Sequence, residues 1–126
     1  MIGSASDKVY KKAFELAMDI YEMTKEFPAI EKFELTDQIR RSSRSIGANI
    51  AEAWQKRRYE AHFVSKLSDA DGEQAETQHW LDTSLACDYL SSEEYEKLFN
   101  MCKEIGKMLG TMMKNPKNWC RRFDPN

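Results

Sequence analysis

Residues 38–52, Gln38-Ile-Arg-Arg-Ser-Ser-Arg-Ser-Ile-Gly-Ala-Asn-Ile-Ala-Glu52, decide the fold. At about 100° per residue, Leu35, Ile39, Ser43, Ile46, Ile50 and Ala53 fall on one side of a helix. Arg40, Arg44, Ala48, Ala51 and Gln55 fall on the other. The first row is a core stripe. The second lacks the long, mixed, solvating side chains of a plain surface helix, and Ala48 and Ala51 leave room for another backbone to approach. The stretch therefore predicts a helix with two working faces, the outer one a contact surface.

Three further helices frame it. Val9, Ala13, Leu16, Ala17, Ile20, Met23 and Phe27 recur at helical spacing and predict a first helix over about residues 7–27, with Ser6 or Asp7 as N-cap. Pro28 stops it, and Phe33 and Leu35 are expected to plug the bundle end. The second helix runs from an N-cap at Thr36 to Lys56. The third, over about residues 60–89, turns Phe63, Leu67, Ala70, Gln74, Thr77, Leu81 and Leu85 inward. Gly72 costs helix propensity there and is expected to mark a close crossing. Ser91-Ser-Glu-Glu94 has the form of a capping box and opens a fourth helix, whose Tyr95, Leu98, Cys102, Ile105, Leu109 and Met112 alternate steps of three and four. Asn115-Pro116 ends it. The expected architecture is all-α, an antiparallel up-down four-helix bundle over residues 1–114 with a tail over 115–126.

The apolar arcs of the first and fourth helices are wider than one bundle needs. Tyr10, Phe14, Tyr21, Met101 and Met108, together with Ala48 and Ala51, are expected at subunit contacts of a homo-oligomer. At 126 residues the chain is one domain. No run of 18 apolar residues exists, and the three cysteines, Cys87, Cys102 and Cys120, are odd in number and widely spaced, so a reducing cytoplasm is the expected compartment. Cys87 and Cys102 are expected to fill core space and Cys120 to be an exposed tail thiol. The formal charge of −2 conceals blocks: residues 38–59 carry six basic groups and one acidic, while residues 60–96 carry one basic and ten acidic. That pattern excludes a generally basic nucleic-acid-binding domain and leaves only local patches.

The run Arg40-Arg-Ser-Ser-Arg-Ser-Ile-Gly-Ala-Asn-Ile-Ala-Glu52 resembles the signature Arg-Arg-small-small-x-Ser-Ile-x-x-Asn-Ile-Ala-Glu of the four-helix-bundle 23S rRNA intervening-sequence proteins. Glu26-Phe27-Pro28 with Phe33 and Leu35, and Ala70-x-Gly72-x-x-x-Glu76, add to the resemblance; Ala53 departs from it, standing where the family has Gly. The resemblance implies a small all-α subunit of a ring-shaped homopentamer. It also implies kinship with retroelement accessory proteins that bind nucleic acid and a reverse transcriptase.

Arg40, Arg41 and Arg44 in the second helix, and Lys56, Arg57 and Arg58 at its end, are the candidate nucleic-acid or interface residues. Guanidinium forks pair well with phosphates. The same arginines read as ion-pair partners of Asp69, Glu73 and Glu76, and for residues between helices that is the weightier reading. Those three acids also have divalent-cation spacing, and Glu76-Thr-Gln-His79 has the form of half a di-iron motif, but only one copy occurs. No catalytic residue, cofactor or metal is assigned. Trp119 and Phe123 beside Arg121 and Arg122 read either as base-stacking groups or as a tail docked on the bundle. The functional expectation is a non-enzymatic homo-oligomer with local basic patches for structured RNA or a ribonucleoprotein. A protein scaffold without a nucleic-acid ligand is the alternative.

Overall fold

The computed structural model describes residues 4–120, with side chains from Lys8 onward. Four helices carry the fold: α1 (Ser4–Thr24), α2 (Asp37–Gln55), α3 (Glu60–Ala86) and α4 (Ser92–Lys114). No strand occurs among the described residues. Each helix packs on the next in sequence, and α1 also packs on α4, which closes the core on all sides. Short 3-10 turns at Ala29–Glu31 and Pro116–Asn118 and a π-helical turn at Lys32–Thr36 complete the elements.

The periodic apolar positions form that core. Leu16 and Ile20 from α1, Ile39, Ile46 and Ile50 from α2, Phe63, Leu67 and Leu81 from α3, and Ile105 and Leu109 from α4 are all sealed from solvent. Each such burial contributes about 1.5–3 kcal/mol relative to exposure. At Ser91 the capping box is complete: its hydroxyl accepts from the Glu94 N–H while the Glu94 carboxylate accepts from the Ser91 N–H. Two phenols tie the ends together. Tyr95 donates to Asp82 Oδ1 at 2.6 Å and Tyr89 to Glu31 Oε2 at 2.7 Å. The carboxylates hold both protons, pushing each phenol up to about 12.

Several expectations are corrected. α1 begins at Ser4, so Ser6 and Asp7 lie within the helix, and their side chains are outside the described set. It ends at Thr24 rather than Phe27, four residues before Pro28, which has no N–H for the Thr24 carbonyl and whose ring would crowd it. The π turn runs directly into α2, which gives Thr36 helical dihedrals (φ −57°, ψ −51°) and no capping hydrogen bond. The same winding turns Leu35 into the core and Phe33 outward, 72 % exposed, so only Leu35 plugs the end. Near the end of α3 the inward residue is Ser84, not Leu85. Met101 belongs to the core at 9 % exposure, leaving it little surface for another subunit. Cys87 is exposed and Cys120 half-buried, the reverse of their expected places. Cys102 is core, and burial pushes its thiol up to about 12.

The polar middle of α3 finds partners inside the bundle. Thr77 Oγ1 lies 2.9 Å from Ser42 Oγ of α2, and Gln74, 8 % exposed, donates to Asp71 Oδ1 and accepts from Gln78 Nε2. Gly72 marks no crossing, since a Cβ there meets nothing within 4 Å. The close approach is at Gly106 of α4, where a Cβ would stand 3.0 Å from Gln74 Nε2.

Three substitutions have expected outcomes in urea titrations. Gly72→Ala raises stability by up to about 1 kcal/mol through helix propensity alone. Gly106→Ala gains less or loses, because the buried Gln74 amide has to shift. A raised phenol contributes its stabilisation fully below its ordinary value of 10.0 and loses it as pH rises toward 12. Tyr95→Phe therefore flattens the fall of the urea midpoint across that window relative to the native chain.

Candidate functional site

The three arginines of α2 take three different environments. Arg41 faces α3, where Nη1 donates to Glu73 Oε2 at 3.0 Å and Nη2 to Glu76 Oε2. Its hydrogen bonds to the Glu73 and then the Glu76 carboxylate raise its already high pKa. Trp80 Nε1 also donates to Glu76, at 3.1 Å, which holds the clamp in place. Arg41 is thus neutralised by carboxylates, whereas Asp69 turns to Lys66 instead.

Arg40 faces α1. Its Nε donates to Thr24 Oγ1 at 2.7 Å, an Nη2 contact reaches the Tyr21 carbonyl at 3.5 Å, and its guanidinium lies 4.9 Å from the Tyr21 ring centre. Thr24 is free to accept because its own proton goes back to the Ile20 carbonyl. Arg44, one turn on, approaches the same ring at 5.7 Å. Neither arginine has a carboxylate ion-pair partner among the described residues. Two unneutralised cations are held side by side over one aromatic ring. Arg40, Arg41 and Arg44, with Asp37, Ser45 and Ala48, line an open groove of about 480 Å³.

A second groove of about 360 Å³ adjoins it, sharing Arg44 and Ala48. Tyr10, Phe14 and Met18 of α1 form one wall, and Gly47, Ala48 and Ala51 of α2 form a low floor. Phe14 is 56 % and Met18 45 % exposed. The structure thus brings Tyr10, Phe14, Ala48 and Ala51 together, places Tyr21 on the arginine side, and packs Met108 against the core.

At the α2–α3 turn, the Arg57 guanidinium stacks 4.0 Å over Trp54 and Arg58 lies 5.7 Å from the ring of Tyr59, which is itself exposed. Lys56, the helix C-cap, is exposed beside them. Trp119 and Cys120 pack against the core at this end, while Arg121, Arg122 and Phe123 lie outside the described residues. His79 stands edge-on to Trp80. Among the described residues no cluster of three His, Cys, Asp or Glu side chains is arranged to hold a metal ion, and no helix is long and apolar enough to cross a membrane.

The family described as 23S rRNA-intervening sequence protein matches residues 6–111. The chain belongs to this family. A crystal structure of a protein of unknown function from the S23 ribosomal protein family of Bacteroides thetaiotaomicron is similar to it, with 35 % identity and a TM-score of 0.80 over 89 % of this chain and 100 % of that one. No curated protein matches the chain. Within this chain, the Arg40–Glu52 signature lies on the helix that borders both grooves.

Sequence reading missed Thr24 and Met18 as parts of the site, and it named Tyr21 only for a subunit contact, not as the ring beneath Arg40 and Arg44. Thr24 was the legible signal, a polar residue at an inward position where its hydroxyl has to find work. A difference follows from the unequal anchoring. Arg40→Ala, which removes a hydrogen bond and a ring interaction, costs about 1–2 kcal/mol, while Arg44→Ala stays within about 0.5 kcal/mol, as read from urea midpoints.

Proposed function

We propose that this chain is a non-enzymatic up-down bundle that assembles into a ring-shaped homopentamer and binds structured RNA or a ribonucleoprotein through its basic patches. The observation that carries the reading is Arg40, anchored on Thr24 and over Tyr21 with no carboxylate ion pair among the described residues, beside Arg41, which has two. Guanidinium groups held in place and unneutralised are suited to phosphate oxygens, and a homo-oligomer repeats them at regular spacing. Lys56, Arg57 and Arg58 form the second patch, with Trp54 and Tyr59 as flat apolar neighbours for sugars or bases. A reducing cytoplasm, where all three thiols stay free, suits both RNA and cysteines.

A protein scaffold is the second reading. The exposed apolar groove beside Arg44 favours it, because apolar surface contributes nothing to phosphate binding. A salt-dependent titration of a labelled RNA hairpin decides between them. The native assembly is expected to bind with an affinity that falls as salt rises. Arg40→Ala, and Arg57→Ala with Arg58→Ala, each checked for unchanged oligomeric state, are expected to weaken binding. Each also makes the salt slope shallower, by about one unit for every phosphate that the variant no longer neutralises. Absence of binding at low salt removes the RNA reading and leaves the scaffold.

A further inference from the structure

Five large apolar side chains stand exposed among the described residues: Phe14, Met18, Ile30, Phe33 and Tyr59. Phe14 and Met18 wall the apolar groove between α1 and α2. Ile30 at 87 % and Phe33 at 72 % exposure sit three residues apart on the connection joining those same helices. A small chain thus carries an apolar knob and an apolar groove at once, each without a partner in its own subunit. We infer that the Ile30–Phe33 connection of one copy seats in the α1–α2 groove of a second copy, with Glu34 beside Arg44. This rests on the homo-oligomer part of the reading above and names its contact.

The chemistry of the two surfaces matches. Arg44 is the one charged residue lining the apolar groove, and it lacks a carboxylate partner among the described residues. Glu34 is exposed next to Phe33 and makes no ion pair or hydrogen bond among them. Within the two turns that carry Ile30 and Phe33, Ala29–Glu31 and Lys32–Thr36, the other charges are already engaged. Glu31 accepts from Tyr89, and Lys32 lies over the Phe33 ring and 3.6 Å from Asp37. Glu34 is therefore the carboxylate left to face Arg44. Arg40, in the adjoining groove, remains for phosphate.

Geometry requires a second copy. Fourteen residues separate Phe33 from Gly47 in the groove floor along one nearly continuous helix, a distance of about 20 Å. A chain cannot fold its own knob into its own groove. The connection is also ordered beforehand by its 3-10 and π turns and by the Tyr89 bond, so seating it costs little conformational entropy. Because knob and groove are different surfaces of one chain, the contact is head-to-tail and propagates until rotation closes a ring.

Sedimentation velocity of the full chain at micromolar concentration tests this. The native chain is expected to sediment as an oligomer. Ile30→Asp with Phe33→Asp is expected to give a monomer, and so is Phe14→Asp with Met18→Asp; the four positions are exposed, and circular dichroism verifies retained helix. An equimolar mixture of the two variants is expected to form a dimer and nothing larger, because one sound knob meets one sound groove. Glu34→Lys and Arg44→Glu each weaken assembly, and combined in one chain they restore it. If the knob variant keeps the native size, the connection is not the occupant, although the homo-oligomer stands. A mixture that stays monomeric overturns the head-to-tail contact, and a monomeric native chain overturns this inference and the oligomer together.

Discussion

The hydrogen bond between Ser42 and Thr77 is the constraint around which the molecule is arranged. Both hydroxyls are sealed in the core between α2 and α3, 2.9 Å apart, and each also donates or leans toward its own helix backbone. Because each hydroxyl keeps a carbonyl of its own helix within reach, losing the bond between them costs about 0.5–1.5 kcal/mol, which a slide or rotation of α2 on α3 adds to the loss of packing around it. That register places Arg41 between Glu73 and Glu76 on one flank. Arg40 and Arg44 are thereby turned to the opposite flank, over Tyr21. The same setting directs Ala48 and Ala51 outward beneath Phe14. The register of α2 on α3, to which this buried polar contact contributes, separates the arginine that is neutralised from the two that are not.

Helical periodicity makes the four helices legible, because a stripe recurring every three to four residues has few other physical meanings. The Ser91 box is readable for the same reason: its residues act on their own neighbours. What escapes the sequence is anything decided by remote packing or by an unusual winding. Apolarity alone puts Phe33 inside, but a π turn rotates each residue by less than an α turn and swings it out while Leu35 goes in. Glycine is costly in a helix, which makes Gly72 look like a crossing, whereas the helix that comes close does so at Gly106, opposite a glutamine. Met101 continues the outer arc in sequence, yet its long flexible chain fills the core beside Cys102.

The site divides in the same way. That α2 leaves an open groove on its outer side can be seen from its small residues, and that acids of α3 lie within reach of its arginines can be seen from spacing. Which arginine takes them cannot, since Arg40 and Arg41 differ by a single step of rotation and only the register on α3 separates them. Thr24 and Tyr21 lie 16 and 19 residues from Arg40, on another helix, and no local pattern joins them. Trp54 under Arg57 is nearer, but a stacked pair and a solvated one have the same sequence.

The π turn at Lys32–Thr36 makes the α1–α2 connection part of a rod rather than a hinge. With no break in backbone hydrogen bonding at Thr36, Phe33 and Arg40 ride on one stiff element about two turns apart. A torque applied at the phenyl ring is carried along that axis to the guanidinium groups without a flexible joint to absorb it. The azimuth of the cationic pair is therefore mechanically geared to whatever grips the rod's free end.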